Sequence, residues 1–164
     1  MKDTSEAAYR KALFLLERRD YTEAELQRKL KEKEYTEECI AFAMAKLKEY
    51  GFVDDRRFTE QYIRYHYEAY SRRVLAMKLH RKGIQTNLFD LVYQEIASEL
   101  EVNPEEEALK KAVCAAIRKA ERKGYSADAM PPEEKRRIVS SLFRKGFSIE
   151  KINKELTKIP ESDY

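Results

Sequence analysis

The chain repeats itself three times, in helical periods. A shift of 49 residues (75 minus 26) lays Leu26 on Leu75, Leu30 on Leu79, Tyr35 on Ile84, Ile40 on Phe89, Met44 on Tyr93 and Leu47 on Ile96. The helix before these obeys the same shift, with Tyr9, Leu13 and Leu16 falling on Phe58, Tyr62 and Tyr65. A further shift of 63 (138 minus 75) lays Leu75 on Ile138, Leu79 on Leu142, Gly83 on Gly146, Ile84 on Phe147, Phe89 on Ile152, Tyr93 on Leu156 and Ile96 on Ile159. The extra 14 residues (63 minus 49) fall in a longer first helix and the Ser126–Pro132 linker. A period in this range marks a tandem array whose small units bury their apolar stripes partly against one another. The expected fold is all-α: three tandem three-helix, helix-turn-helix-like repeats forming an elongated, curved array. The repeats are placed at 6–53, 54–103 and 104–159, followed by a tail at 160–164.

Local signals support the same reading. Thr22 with Glu25 is a capping-box start, and Thr36 is followed by Glu37 and Glu38, acids suited to a first helical turn. Asp54-Asp55, Ser71, Thr86, Asn103-Pro104, Pro131-Pro132 and Ser148 open the later helices. All four glycines fall where the periodic stripes end, the expected place for a left-handed helix stop. Phe58, Tyr62 and Tyr65 read as one core stripe, with Tyr67 off it.

Charged residues make up 38% of the chain, against roughly 25% in an ordinary domain, which suits surface-rich helices. Net charge is only +3, so a histone-like or strongly basic nucleic-acid binder is not expected on the global count. The charge is uneven, however. Residues 56–82 carry eight basic and two acidic side chains, and residues 118–146 carry nine and four. Between them lies an acidic stretch with Glu99, Glu101, Glu105, Glu106 and Glu107. Two basic stretches invite an anionic partner at specific faces. Cys39 and Cys114 lie far apart, too few for a secreted disulfide scaffold, and both are expected to pack as small apolar groups. No apolar run approaches the ~18 residues of a membrane span, and no signal-peptide core follows Met1. A cytoplasmic location without membrane contact is expected.

Catalytic patterns are missing. There is no Gly-rich phosphate loop, His-Glu-x-x-His, Cys-x-x-Cys or Gly-x-Ser-x-Gly. His66 and His80, the two histidines, lack the convergent partners that a general base or metal ligand needs. No enzyme activity, metal or cofactor is expected.

The segment from Leu47 to Phe58 includes Gly51-Phe52-Val53-Asp54-Asp55-Arg56-Arg57-Phe58. It is followed by Ser71-Arg72-Arg73-Val74-Leu75 and Leu79-His80-Arg81-Lys82-Gly83-Ile84, and preceded by Leu15-Leu16, Arg18-Arg19, Thr22, Glu25-Leu26 and Lys29-Leu30. With the threefold array, these residues resemble the RecX family of recombination regulators. The resemblance covers roughly residues 7–159. It implies a non-enzymatic protein that binds the RecA recombinase, chiefly its filament on single-stranded DNA, and inhibits strand exchange, ATP hydrolysis and coprotease activity in DNA repair and the SOS response. It also implies possible direct DNA contact. The chain departs from the family at Glu68-Ala69-Tyr70-Ser71, which lacks the usual Gly and Pro before the Arg-Arg pair, and at Glu34, where the other repeats have Gly83 and Gly146.

The candidate binding residues are the basic sets and their aromatic neighbour. They are Arg56, Arg57, Arg64 and Tyr67; Arg72, Arg73, Lys78, Arg81 and Lys82; and Lys135, Arg136, Arg137, Arg144 and Lys145. Each set has two readings, a partner-binding face or a solvated helix surface. Asp54-Asp55 reads as a helix cap with an ion pair to Arg56 or Arg57, or else as a contact to a basic partner. Tyr67 reads as a packing or partner contact, or as a base-stacking platform. A monomer is expected. The alternative function is an independent α-helical nucleic-acid-binding module. Against it, Asp90 and Glu95 would repel phosphate beside Gln85, Thr86, Asn87 and Gln94. A passive helical scaffold is the third possibility.

Overall fold

The computed structural model describes residues 4–158. Among them are nine α-helices and no strand: α1 (Ser5–Leu16), α2 (Glu23–Lys31), α3 (Glu37–Glu49), α4 (Asp55–His66), α5 (Arg72–Arg81), α6 (Thr86–Leu100), α7 (Pro104–Arg122), α8 (Pro132–Arg144) and α9 (Ile149–Thr157). Ile159 and the 160–164 tail lie outside the described residues.

The helices begin where the caps predict. The Thr22 hydroxyl accepts the Glu25 N–H at 3.2 Å, and the Glu25 carboxylate accepts the Thr22 N–H at 3.3 Å, completing the capping box. Thr36, Asn103 and Ser148 accept from Cys39, Glu105 and Lys151, and Asp54 accepts the Arg57 N–H at 3.0 Å. Each bond satisfies one of the orphan donors of a first turn, worth about 1 kcal/mol.

The described chain forms two compact units. One holds the residues up to 62 together with 78–93; the other holds 63–77 and the residues from 94 onward. Helices α4, α5 and α6 each pass from one unit to the other within their length. In the first unit, α1–α3 enclose Ala8, Ala12, Leu26, Leu30, Ala43 and Leu47, all 0% exposed. In the second, α7–α9 enclose Leu109, Val113, Ile138, Leu142, Phe147 and Ile152. The stripes Leu26/Leu30, Leu75/Leu79 and Ile138/Leu142 are buried in all three repeats, as the shifts require.

Two expectations are corrected. The core residues of α4 are Thr59 and Ile63, both 0% exposed; Phe58 and Tyr62 flank them half-buried, and Tyr65 is 84% exposed. The correspondence of α4 with α1 therefore fails at its third position, because the buried side of α4 is turned toward Ile63. Cys39 is buried as expected, but Cys114 is on the exposed side of α7.

Candidate protein and nucleic-acid interface

The site is built on a joint that occurs twice. In the first unit, Thr22 caps α2 and its hydroxyl also donates to the Lys82 carbonyl just past α5. In the second, Ser71 caps α5 by accepting the Val74 N–H at 3.3 Å, and donates to the Lys145 carbonyl just past α8 at 3.0 Å. The two joints match position for position, since Thr22 falls on Ser71 and Lys82 on Lys145. A hydroxyl is the short side chain able to accept from its own helix and donate to a neighbour at once. Each joint also needs a glycine. A Cβ on Gly83 (φ +88°) would overlap the Cβ of Ala24, and one on Gly146 (φ +95°) would overlap the Ser71 hydroxyl. The backbone ends of α5 and α8 thus seat directly against the first turns of α2 and α5.

The charges at the two joints differ. In the first, the N-terminal turn of α2 supplies Glu23 and Glu25. The Glu25 carboxylate is 9% exposed and accepts from the Lys82 ammonium at 3.0 Å, with the Arg19 guanidinium at 3.8 Å. Lys82 also lies 5.7 Å from the centre of the Phe58 ring. The Asp55 carboxylate accepts the Glu23 N–H at 2.8 Å. Burial raises the Asp55 carboxyl above its ordinary value, against the lowering effect of that hydrogen bond. This joint is neutralised, and Lys82 is a structural member of it.

In the second joint, Arg72, Arg73 and Val74 stand where the first has Glu23, Ala24 and Glu25. Two arginines therefore occupy the first turn of α5, where the helix dipole favours anions and no acid is present. The Arg73 side chain passes over Gly146, its Nε 3.3 Å from where a Cβ would sit. Arg144 and Lys145, at the end of α8 just before Gly146, are exposed. The Arg73 side chain therefore lies at the α5–α8 joint, at a helix N-terminus whose amides attract negative charge, and the α8 end seated there carries Arg144 and Lys145 in its sequence. The first turn of α5 thus carries cations where its counterpart in α2 carries acids.

The candidate side chains are otherwise spread over several helix faces. Arg81 is exposed with Arg73, Met77 and His80 along the outer face of α5, while Arg72 and Lys78 are half-buried at its flanks. On α8, Arg136 and Arg144 are exposed with Phe143, and the Arg144 Nε donates to the Ser140 carbonyl. Arg137 and Lys123 each lie 3.4 Å from the buried Glu134 carboxylate. Lys135 lines an apolar groove with Ile117, Met130, Val139 and Leu156. Arg64 pairs with Glu99. Arg56 is exposed, and the Arg57 guanidinium donates to the Gly51 carbonyl at 3.0 Å. The Tyr67 hydroxyl donates to Glu68, which in turn pairs with Lys111. Lost hydration and that carboxylate raise the Tyr67 phenol above its ordinary value. Sequence reasoning missed Tyr65, whose exposed ring meets His66 edge-on at 4.8 Å. Its place in the last turn of α4, past the buried Ile63, was the available signal.

Among the described residues no group of three His, Cys, Asp or Glu converges as metal ligands, and no helix is long and apolar enough to cross a membrane. Two family descriptions match the chain: RecX, first three-helix domain, at residues 8–47, and RecX, second three-helix domain, at residues 54–90. The regulatory protein RecX of Mycobacterium sp. (strain JLS) is 32% identical over 148 residues, spanning 87% of this chain and 76% of that protein. The regulatory protein RecX of Caldanaerobacter subterraneus subsp. tengcongensis is 30% identical over 146 residues, spanning 88% and 66%. The crystal structure of RecX from Lactobacillus salivarius superposes with a TM-score of 0.76 at 22% identity, covering 96% of this chain and 97% of that one, so the fold is shared. A buried threefold helical register, two matching joints and these likenesses together place the chain in the RecX family of regulatory proteins.

Proposed function

We propose that this protein binds the RecA filament on single-stranded DNA and restrains its recombinase, ATPase and coprotease activities, without chemistry of its own. Family membership supports the partner. The carrying observation for the surface is the α5–α8 joint, where Arg73 lies over the α8 end that carries Arg144 and Lys145, at a helix N-terminus whose sister in α2 carries acids. A filament offers a repeating anionic surface, in phosphate or in acidic side chains, that such a joint could grip. Grip across subunits would oppose the rearrangements that ATP turnover requires.

The test is RecA ATPase on single-stranded DNA at near-physiological salt, with the protein titrated in. The native chain is expected to inhibit, and the Arg73→Glu/Arg144→Glu variant to lose at least about tenfold in potency, two charge reversals each worth about 1 kcal/mol or more at a partly desolvated contact. Glutamate near the start of α5 suits the helix dipole, so Arg73→Glu leaves that helix intact. Absence of inhibition by a folded native chain in excess would overturn the proposal. The same cations and the exposed Tyr65 support a second reading, an independent nucleic-acid-binding module. That reading predicts steeply salt-dependent binding to naked DNA with no preference for the filament.

A further inference from the structure

The outward face of α1 carries a second cationic surface, of different construction. Phe14 is 45% exposed at its centre, opposite the fully buried Ala8 and Ala12. The Lys11 ammonium and the Arg18 guanidinium each lie 4.9 Å from the centre of its ring. Arg10, one turn before Phe14, is exposed on the same face, and Glu17 is the acid beside it. Arg10 and Phe14 are one turn apart on α1, and Arg18, in the turn past its end, brings its guanidinium to the ring, so the face reads cation, aromatic, cation.

The repeat architecture does not require this pattern. In α4 the equivalent positions are Thr59, Glu60, Ile63 and Tyr67, and Thr59 and Ile63 there are 0% exposed. The equivalent helix of the second repeat thus buries the position that Phe14 leaves open, and leaving that ring in water forgoes apolar burial. We propose that this face docks an acidic amphipathic helix of a partner protein.

Charge and geometry choose that occupant. A helix laid along α1 with acid, aliphatic and acid residues at one-turn intervals would set its carboxylates against Arg10 or Lys11 and Arg18, and its aliphatic side chain against Phe14. Such helix-on-helix recognition uses anchors at i, i+3 or i+4 and i+7. A nucleic-acid base would instead have to stack on a ring already engaged by two cations, and would displace at least one of them.

The experiment uses the full chain and a blocked, fluorescein-labelled peptide of roughly 20 residues, long enough to hold a helix. The peptide carries Glu, Leu and Glu at one-turn intervals. A scrambled peptide of the same composition and a fluorescein-labelled oligothymidylate are the comparators. Anisotropy should show the patterned peptide bound about tenfold or more tightly than the scrambled one. Phe14→Ala and Arg10→Glu/Arg18→Glu should each weaken it about tenfold. Amide shift changes on the native chain should centre on α1, which keeps the test independent of how the variants fold. Equal affinity for the scrambled peptide would reduce the face to unspecific charge and overturn the proposal. So would shifts centred elsewhere, no binding by the folded native chain, or a preference for oligothymidylate that Phe14→Ala abolishes.

Discussion

Single residues decide how closely successive repeats can approach. Gly83 and Gly146 combine a left-handed backbone with a neighbour seated where a side chain would go. Gly83→Ala should therefore cost about 2–4 kcal/mol in chemical denaturation, combining backbone strain with overlap on Ala24. Glu34 holds the same position in the first repeat at φ +63°. Its side chain is exposed, so one is tolerated there. Glu34→Gly should stabilise by about 1 kcal/mol, by relieving the left-handed strain alone. Asp55 is poised differently. Its carboxyl is raised by burial, so the folded chain binds that proton more readily than the unfolded chain does. Ionised Asp55 therefore weakens the fold, and its contribution declines as pH rises from the ordinary aspartate value near 3.9 through the raised folded value. Glu23, Asp54 and Lys48 are its charged neighbours. Asp55→Asn keeps an acceptor for the Glu23 N–H, and its melting temperature should gain on the native chain across that window. Equal pH profiles for the two proteins would refute the argument.

Among the elements, α5 is the most informative, because it takes part in both joints. Its end meets α2 through an ion pair, and its start meets the residues just past α8 through the Ser71 hydroxyl on the Lys145 carbonyl and the Val74 side chain at Gly146. Lys82→Met alone should destabilise by about 1–3 kcal/mol, since Glu25 is left largely buried with only the more distant Arg19. Adding Glu25→Val copies the Val74 arrangement and should recover most of that loss, as replacement of a buried pair by well-packed apolar groups commonly does. Non-additivity in a double-mutant cycle measures the coupling directly. The helices themselves were largely legible in the sequence. Caps at Thr22, Thr36, Asn103 and Ser148 are local, so residue identity over four positions is enough to place them. The buried side of α4 was not legible, because Phe58, Tyr62 and Tyr65 keep helical spacing as well as Thr59 and Ile63 do.

For the whole molecule, two compact units with separate cores imply that damage can be local. Leu30→Ala should remove about 2–5 kcal/mol from the packing of α1–α3. Hydrogen exchange should then quicken in α1–α3, while the amides of α7–α9 keep their protection. Uniform acceleration through all nine helices would show instead that the chain unfolds as one cooperative block. The basic stretches also need this scale to be understood. Counting charges along the chain ranks residues 56–82 as a single +6 run, yet Lys82 belongs to the neutralised joint and Arg73 to the cationic one.

The sequence by itself determined the helical class, the helix starts, the threefold register and the family likeness. These rest on nearest-neighbour chemistry and on periods that survive translation along the chain. Only the tertiary structure decided which cations are compensated, because that depends on what lies across a joint about 60 residues away, as with Glu25 and Lys82. It also decided that Tyr65 faces outward and that Phe14 stands between two cations. Periodicity gives a helix a buried side, but the neighbours packed against it choose where that side lies.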